Sequence, residues 1–157
     1  MKIVVGIIEF ENKVLFIKRV KEPFKDTLIL PGGKVDNGET LDQALEREIF
    51  EETGLYIKTK EPIGYYDESV YIDGKLAYRH DITIYHVIPR TFDYRDSKEG
   101  QVFEIDILNI QNLRSEINPS DLRMLERFFI QKQIGFKAKI NVAKLENRYE
   151  ILSEEDY

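Results

Sequence analysis

The segment Thr40-Leu-Asp-Gln-Ala-Leu-Glu-Arg-Glu-Ile-Phe-Glu-Glu-Thr-Gly54 constrains this chain more than any other. A Thr just before an apolar periodic run and a Gly just after it are helix start and stop signals, so the spacing predicts a helix over 40–53 capped by Gly54. At about 100° per residue, Leu41, Ala44, Leu45 and Leu55 fall on the same side as Glu48, Glu51 and Glu52, within an arc of about 120°. Asp42, Gln43, Glu46 and Thr53 fall on the opposite side. A face that begins as a core stripe therefore turns into a cluster of three carboxylates. Side chains three and four apart on a helix are neighbours, and like charges there repel. On a partly buried face such anions need cations or raised pKa values. A hard divalent ion with oxygen ligands, Mg²⁺ or Mn²⁺, meets that need most simply. A Glu-rich helix is ordinarily a solvated acidic face; the register with Leu41, Ala44 and Leu45 argues against that here. Arg47 lies on the flank one turn before Glu51 and can pair with it.

The loop before this helix, Pro31-Gly-Gly-Lys-Val-Asp-Asn-Gly-Glu39, has three glycines, which let backbone groups approach a ligand closely. Alone it would say little; it gains weight by ending at the start of this helix. The rest of the composition narrows the chemistry. The chain has 157 residues, 42% hydrophobic and 33% charged, which suits one globular domain. With no cysteine, a disulfide scaffold, a zinc ribbon, a thiol nucleophile and a thiolate-held cluster are all excluded. The two histidines, His80 and His86, are too few for a His-rich metal site. A net charge of −6 argues against a surface that coats a nucleic-acid polymer, although placed cations or bound metal ions can still hold a small anion. The apolar start is interrupted by Glu9 and Glu11, which suits a strand rather than a signal peptide, and no run is long enough to span a membrane. The expectation is a cytoplasmic protein.

Along the chain, 4–9 and 14–20 read as a hairpin about Glu11-Asn12-Lys13, followed by a polar loop over 21–27. Strands are expected at 63–66, 69–72, 77–89 and 102–107, with Asp73-Gly74 as a hairpin turn. A second helix opens at Pro119-Ser120-Asp121, carries Leu122, Leu125 and Phe129 on one stripe and ends before Gly135. Residues 136–142 alternate as a strand, and 153–157 read as a frayed acidic tail. Strands and helices in this order predict an α/β or α+β layered fold.

Gly33, Glu39, Arg47-Glu48-Ile49, Glu51-Glu52 and Gly54-Leu55, at these spacings, resemble the Nudix box without a departure. The resemblance extends over residues 1–134 and leaves 135–157 as a C-terminal extension, an edge strand or a dimer contact. It implies a Nudix-type α/β/α sandwich with a mixed sheet between helices. It also implies hydrolysis of a nucleoside diphosphate linked to another group, with a small nucleotide as the partner molecule. Glu48, Glu51, Glu52 and the carbonyl of Gly33 match metal ligands. Arg47 and Glu39 match residues that brace the loop and helix, with Gly32 and Gly54 as structural members of the box. In MutT-type members a loop like Lys98-Glu99-Gly100-Gln101 supplies a further carboxylate, so Glu99 is a candidate ligand or base, with Glu104 as the fallback. Glu52 and Glu99 both stay open as the base.

Lys18 and Arg19 resemble the basic pair that contacts substrate phosphates in MutT-type enzymes. Arg79 and Asn118 stand where such enzymes read a purine, although an Asn before a helix is also an ordinary cap. The motif of coenzyme A-specific members and the signature of NADH-type members are absent. A nucleoside triphosphate, with oxidised purine nucleotides among the candidates, is the leading substrate class. ADP-ribose and dinucleoside polyphosphates are the alternatives, and a non-catalytic nucleotide sensor or an isomerase on the same fold are the rivals.

Overall fold

The computed structural model describes residues 1–157. Strands β1 (Lys2–Phe10) and β2 (Lys13–Lys18) form the expected hairpin, with Glu11 and Asn12 both at positive φ as a tight hairpin turn requires. Two short strands follow, β3 (Leu28–Ile29) beside β2 and β4 (Gly32–Lys34) beside β1, before helix α1 (Leu41–Thr53). The next pair is longer than expected. The two runs at 63–66 and 69–72 belong to a single strand, β5 (Ile57–Ile72), bent by bulges near Pro62 and Val70. It returns through Asp73-Gly74 into β6 (Lys75–Pro89). Strand β7 (Val102–Asp106) pairs with β2, a 3₁₀ segment spans Ile107–Leu113, and α2 (Pro119–Leu125) continues into a π-helical turn over Glu126–Ile130. Strands β8 (Phe136–Lys144) and β9 (Tyr149–Asp156) close the chain.

The strands make one mixed sheet in the order β3-β2-β1-β6-β5-β8-β9, with β4 on β1 and β7 on β2. Helix α1 packs Ala44, Leu45 and Ile49 against Val4, Ile8, Tyr85 and Val87 on one face. Leu122, Met124 and Leu125 of α2 cover the other face with Val5, Ile7, Ile82 and Ile84. This is the layered α-and-β class the element order implied. No helix is long and apolar enough to cross a membrane.

Two local expectations need correction. Residues 153–156 are not a frayed tail; they pair with β8. The buried guanidinium of Arg127 binds Glu154 and Asp156, so a charge run that reads as solvated is ion-paired instead. Thr53, assigned to the outer side of α1, is fully buried: its hydroxyl donates to the carbonyl of Ile49 (2.6 Å), and the loop at Arg95 hydrogen-bonds to the Thr53 carbonyl. The stripe α1 buries is centred nearer Ile49 than Glu48, which leaves Glu51 exposed and Glu52 inside.

Candidate active site

Two glycines set the floor of the carboxylate cluster. A Cβ on Gly32 would stand 2.1 Å from the carbonyl oxygen of Val4, and one on Gly33 would stand 2.5 Å from the carboxyl carbon of Glu48. Backbone contact therefore demands glycine at position 32, while a side chain at position 33 would displace the Glu48 carboxylate. Helix α1 starts with a complete capping box: Thr40 accepts from the Gln43 amide (3.1 Å), and the Gln43 side chain accepts from the Thr40 amide (2.9 Å). Gly54 at φ +75° ends it in the left-handed conformation that favours glycine.

Arg47 organises the surroundings. It takes both oxygens of Glu39 (2.7 and 2.8 Å), donates to Glu48 (2.9 Å) and Glu51 (3.3 Å), and reaches the carbonyl of Lys34 (3.0 Å). Its guanidinium, with help from the Asp36 amide, holds the Glu39 carboxyl at about 2. Arg47 is thus the brace between loop and helix that the resemblance implied.

Beside this brace, Glu52 is 5% exposed and accepts only a long hydrogen bond (3.3 Å) from the Gly32 amide. Burial raises its pKa well above the usual carboxylate range, and the neighbouring Glu48 charge adds to the rise. Burial also raises Glu48, against the pull of Arg47. Glu99 shares a cleft with Glu51, at the exposed end of the acidic face. Its loop is seated against β2: a Cβ on Gly100 would meet the Lys18 carbonyl oxygen at 2.1 Å. Glu51 and Glu99, with Arg95 and Lys98, line a cleft of about 580 Å³. Glu104 stands apart, bound to Lys13 (3.2 Å) and the Tyr94 hydroxyl (2.9 Å), so it does not serve as the fallback.

No three acidic groups are already gathered as a ligating cluster, because Arg47 draws Glu48 and Glu51 toward itself. The donor chemistry nevertheless fits a hard divalent ion. All the donors are oxygens, and Arg47 pairs with Glu39, Glu48 and Glu51 but not with Glu52.

The residues assigned to the rest of a substrate are only partly brought together. Lys18 lines a second groove, of about 1010 Å³, away from the carboxylates. Arg19 donates to the carbonyl of Lys21 (2.9 Å), and its charge reaches Asp121. Asn118 is buried and caps α2, accepting from the Ser120 amide (2.9 Å). Arg79 is not beside it. The neighbouring Tyr78 and Ile82 of β6 face the α2 layer, so strand alternation turns Arg79 to the opposite face, where it pairs with Asp67 (3.3 Å).

One buried polar group escaped the sequence reading. Glu68, 2% exposed, accepts from Ser120 (2.5 Å) and pairs with His80 (2.7 Å). Beside it Asp121 accepts from the Leu30 amide (2.8 Å), and burial lifts its carboxyl to about 7. The available signal was Glu68 itself, an acid on the inward register of β5 between Tyr66 and Val70.

The NUDIX domain model matches residues 2–128. The ADP-ribose pyrophosphatase of Methanocaldococcus jannaschii is 56% identical over 61 residues, 39% of this chain and 36% of that protein. The 8-oxo-dGTP diphosphatase of Escherichia coli K12 is 44% identical over 57 residues, 35% of this chain and 44% of that protein. These matches thus span less than half the length of either relative. The MutT protein of Bacillus halodurans shares the fold at a TM-score of 0.78 and 18% identity, over 99% of this chain and 96% of its own. With the family model matching most of its length, and with the loop, brace and buried acids in place, the chain belongs to the Nudix family.

Proposed function

We propose that this chain is a divalent-metal-dependent pyrophosphohydrolase that cleaves the diphosphate linkage of a nucleoside triphosphate, oxidised purine nucleotides included. The observation that carries this reading is the Glu48–Glu52 pair, one half-buried and one buried carboxylate on the same face of α1, both with raised pKa values. Acids so placed cost stability, and a site for cations and phosphate gives them a use. Glu48, Glu51, Glu52, Glu99 and the Gly33 carbonyl would hold Mg²⁺ or Mn²⁺. The ion, when bound, supplies charge neutralisation of the diphosphate and a more acidic water. The chain's own part is to orient and to move a proton. Arg47 fixes the helix against the loop, Glu52 or Glu99 accepts the proton of the attacking water, and Arg19 offers its charge to the substrate phosphates.

ADP-ribose is the second reading, supported by the 56% identity over 61 residues to the Methanocaldococcus jannaschii ADP-ribose pyrophosphatase. Nucleoside triphosphates, 8-oxo-dGTP, ADP-ribose and dinucleoside polyphosphates would be assayed with Mg²⁺ and the products identified. A triphosphate turned over with the highest kcat/KM, giving a monophosphate and pyrophosphate, is the expected result. Preferred turnover of ADP-ribose would move the assignment to the second reading. No turnover of any of them would favour a nucleotide sensor.

A further inference from the structure

The hairpin of β8 and β9 begins beyond the residues that the family model matches, yet it reaches back to the front of the molecule. The Tyr149 hydroxyl donates to Glu22 (2.7 Å) and accepts from the Phe24 amide (2.9 Å). Its ring lies 4.4 Å from that of Phe24, and Lys144 adds an ion pair to Glu22 (3.2 Å). Every one of these contacts falls on the loop 20–27.

Within the loop, Arg19 Nε donates to the Lys21 carbonyl, and the Thr27 amide and hydroxyl both donate to the Phe24 carbonyl. Phe24 and Asp26 both sit at left-handed φ, +69° and +66°, where a bulky side chain is sterically disfavoured and must be held by its surroundings. Phe24 is nonetheless buried, with its ring in the same apolar cluster as Leu30, Ile117 and Leu122. The loop's ends are tied through Arg19, whose amide donates to the Thr27 carbonyl and whose carbonyl accepts from the Asp26 amide (2.9 and 2.8 Å). Arg19 in turn directs its charge to Asp121. The loop and the turn of the β8–β9 hairpin also form two walls of the larger groove, with Lys18 between them and the start of α2.

We propose that loop 20–27 is a strap latched by Tyr149, and that Tyr149 is a positioning residue that sets substrate affinity by fixing the loop that aims Arg19. The proposal rests on the reading of Arg19 as a phosphate contact. The latch has three parts: a hydroxyl that bonds a carboxylate and an amide at once, a ring that covers Phe24, and the Lys144–Glu22 pair. Removing the hydroxyl alone leaves the ring packing intact, so Tyr149→Phe loosens the strap without opening the core.

The test uses the full chain, wild type, Tyr149→Phe and Glu22→Gln, with two readouts. Limited trypsin digestion reads cleavage after Lys21 and Lys25, both exposed within the strap. Steady-state kinetics on the best nucleotide of the panel, with Mg²⁺, separates KM from kcat. We expect both variants to be cut severalfold faster in the strap. We also expect KM to rise about fivefold, the effect of losing one or two net hydrogen bonds, with kcat within about twofold of wild type. Unchanged cleavage overturns the latch whatever the kinetics. Faster cleavage with unchanged KM, or a fall in kcat alone, overturns the positioning role. If the wild type turns over no nucleotide, the functional reading fails on its own and the trypsin arm alone decides the latch.

Discussion

Glu52 is a buried acid placed where its charged form is least comfortable, between the half-buried Glu48 and a glycine amide. Its folded pKa is raised, so the stability it contributes is fully present below the unfolded value near 4.5 and is lost as pH rises through the folded value. Metal-free protein should therefore lose stability as pH climbs from about 4.5, and Glu52→Gln should flatten that slope, read as Tm against pH in EDTA. The same substitution should lower kcat by about 10²- to 10⁴-fold, the usual worth of a positioned acid or base, in a phosphate-release assay on a variant whose circular dichroism matches wild type. Asp121 obeys the same sign on the other side of the sheet. Raised from 3.8 to about 7, it favours the folded state most at acid pH and loses that contribution between those values. Asp121→Asn keeps an oxygen for the Leu30 amide, so it should raise stability above pH 7 by on the order of a few kcal/mol. A urea midpoint that fell at pH 8 in this variant would show that the charged carboxylate is needed there.

At the scale of elements, the site is two pieces of backbone pressed together, and the Arg47 fork is what keeps them in register. A lysine cannot hold both oxygens of Glu39 while reaching Glu48, so Arg47→Lys should lose most of the activity despite conserving charge. Near wild-type kcat/KM in that variant would reduce Arg47 to a point charge. The terminal strand carries a second such clamp. Arg127 is buried against the rings of Tyr66 and Phe136 and takes Glu154 and Asp156. Arg127→Ala should cost about 3 kcal/mol in urea denaturation, the low end for a broken buried pair, because Asp156 stays in contact with water. What was legible in advance follows from these distances along the chain. The Thr40 start signal, Gly54, the Arg47–Glu51 pair and the turn at Asp73-Gly74 are all made by residues a few positions apart, so spacing alone carries them. Glu68 with Ser120, and Arg127 with Glu154, meet only after the sheet has formed. Nothing in the local pattern of 153–157 separates an ion-paired strand from a solvated tail.

For the molecule as a whole, the sheet places its two helices on opposite faces, and the buried acids gather where α1 meets β4 and the loop carrying Glu99. Periodicity and turn signals located β1, β2, β6, β7, β8 and part of β5, whereas β4 and the end of β9 read as a glycine loop and a frayed tail. The parallel pairing of β5 with β8 and the reversal of Arg79 to the far face depend on topology, which no short pattern encodes. The central claim is that Glu48 and Glu52 are retained at a cost to the fold because they hold a divalent ion. A ligand that binds only the folded site stabilises it by RT ln(1 + [L]/Kd), about 2.7 kcal/mol at a hundredfold excess over Kd. Thermal melts of wild type, Glu48→Gln and Glu52→Gln, each in EDTA and in excess Mg²⁺, test this most directly. The account predicts that the variants melt at or above wild type in EDTA, and that Mg²⁺ raises wild type by several degrees while leaving both variants almost unmoved. Strong destabilisation of both variants in EDTA, or an undiminished Mg²⁺ gain in either, would contradict it.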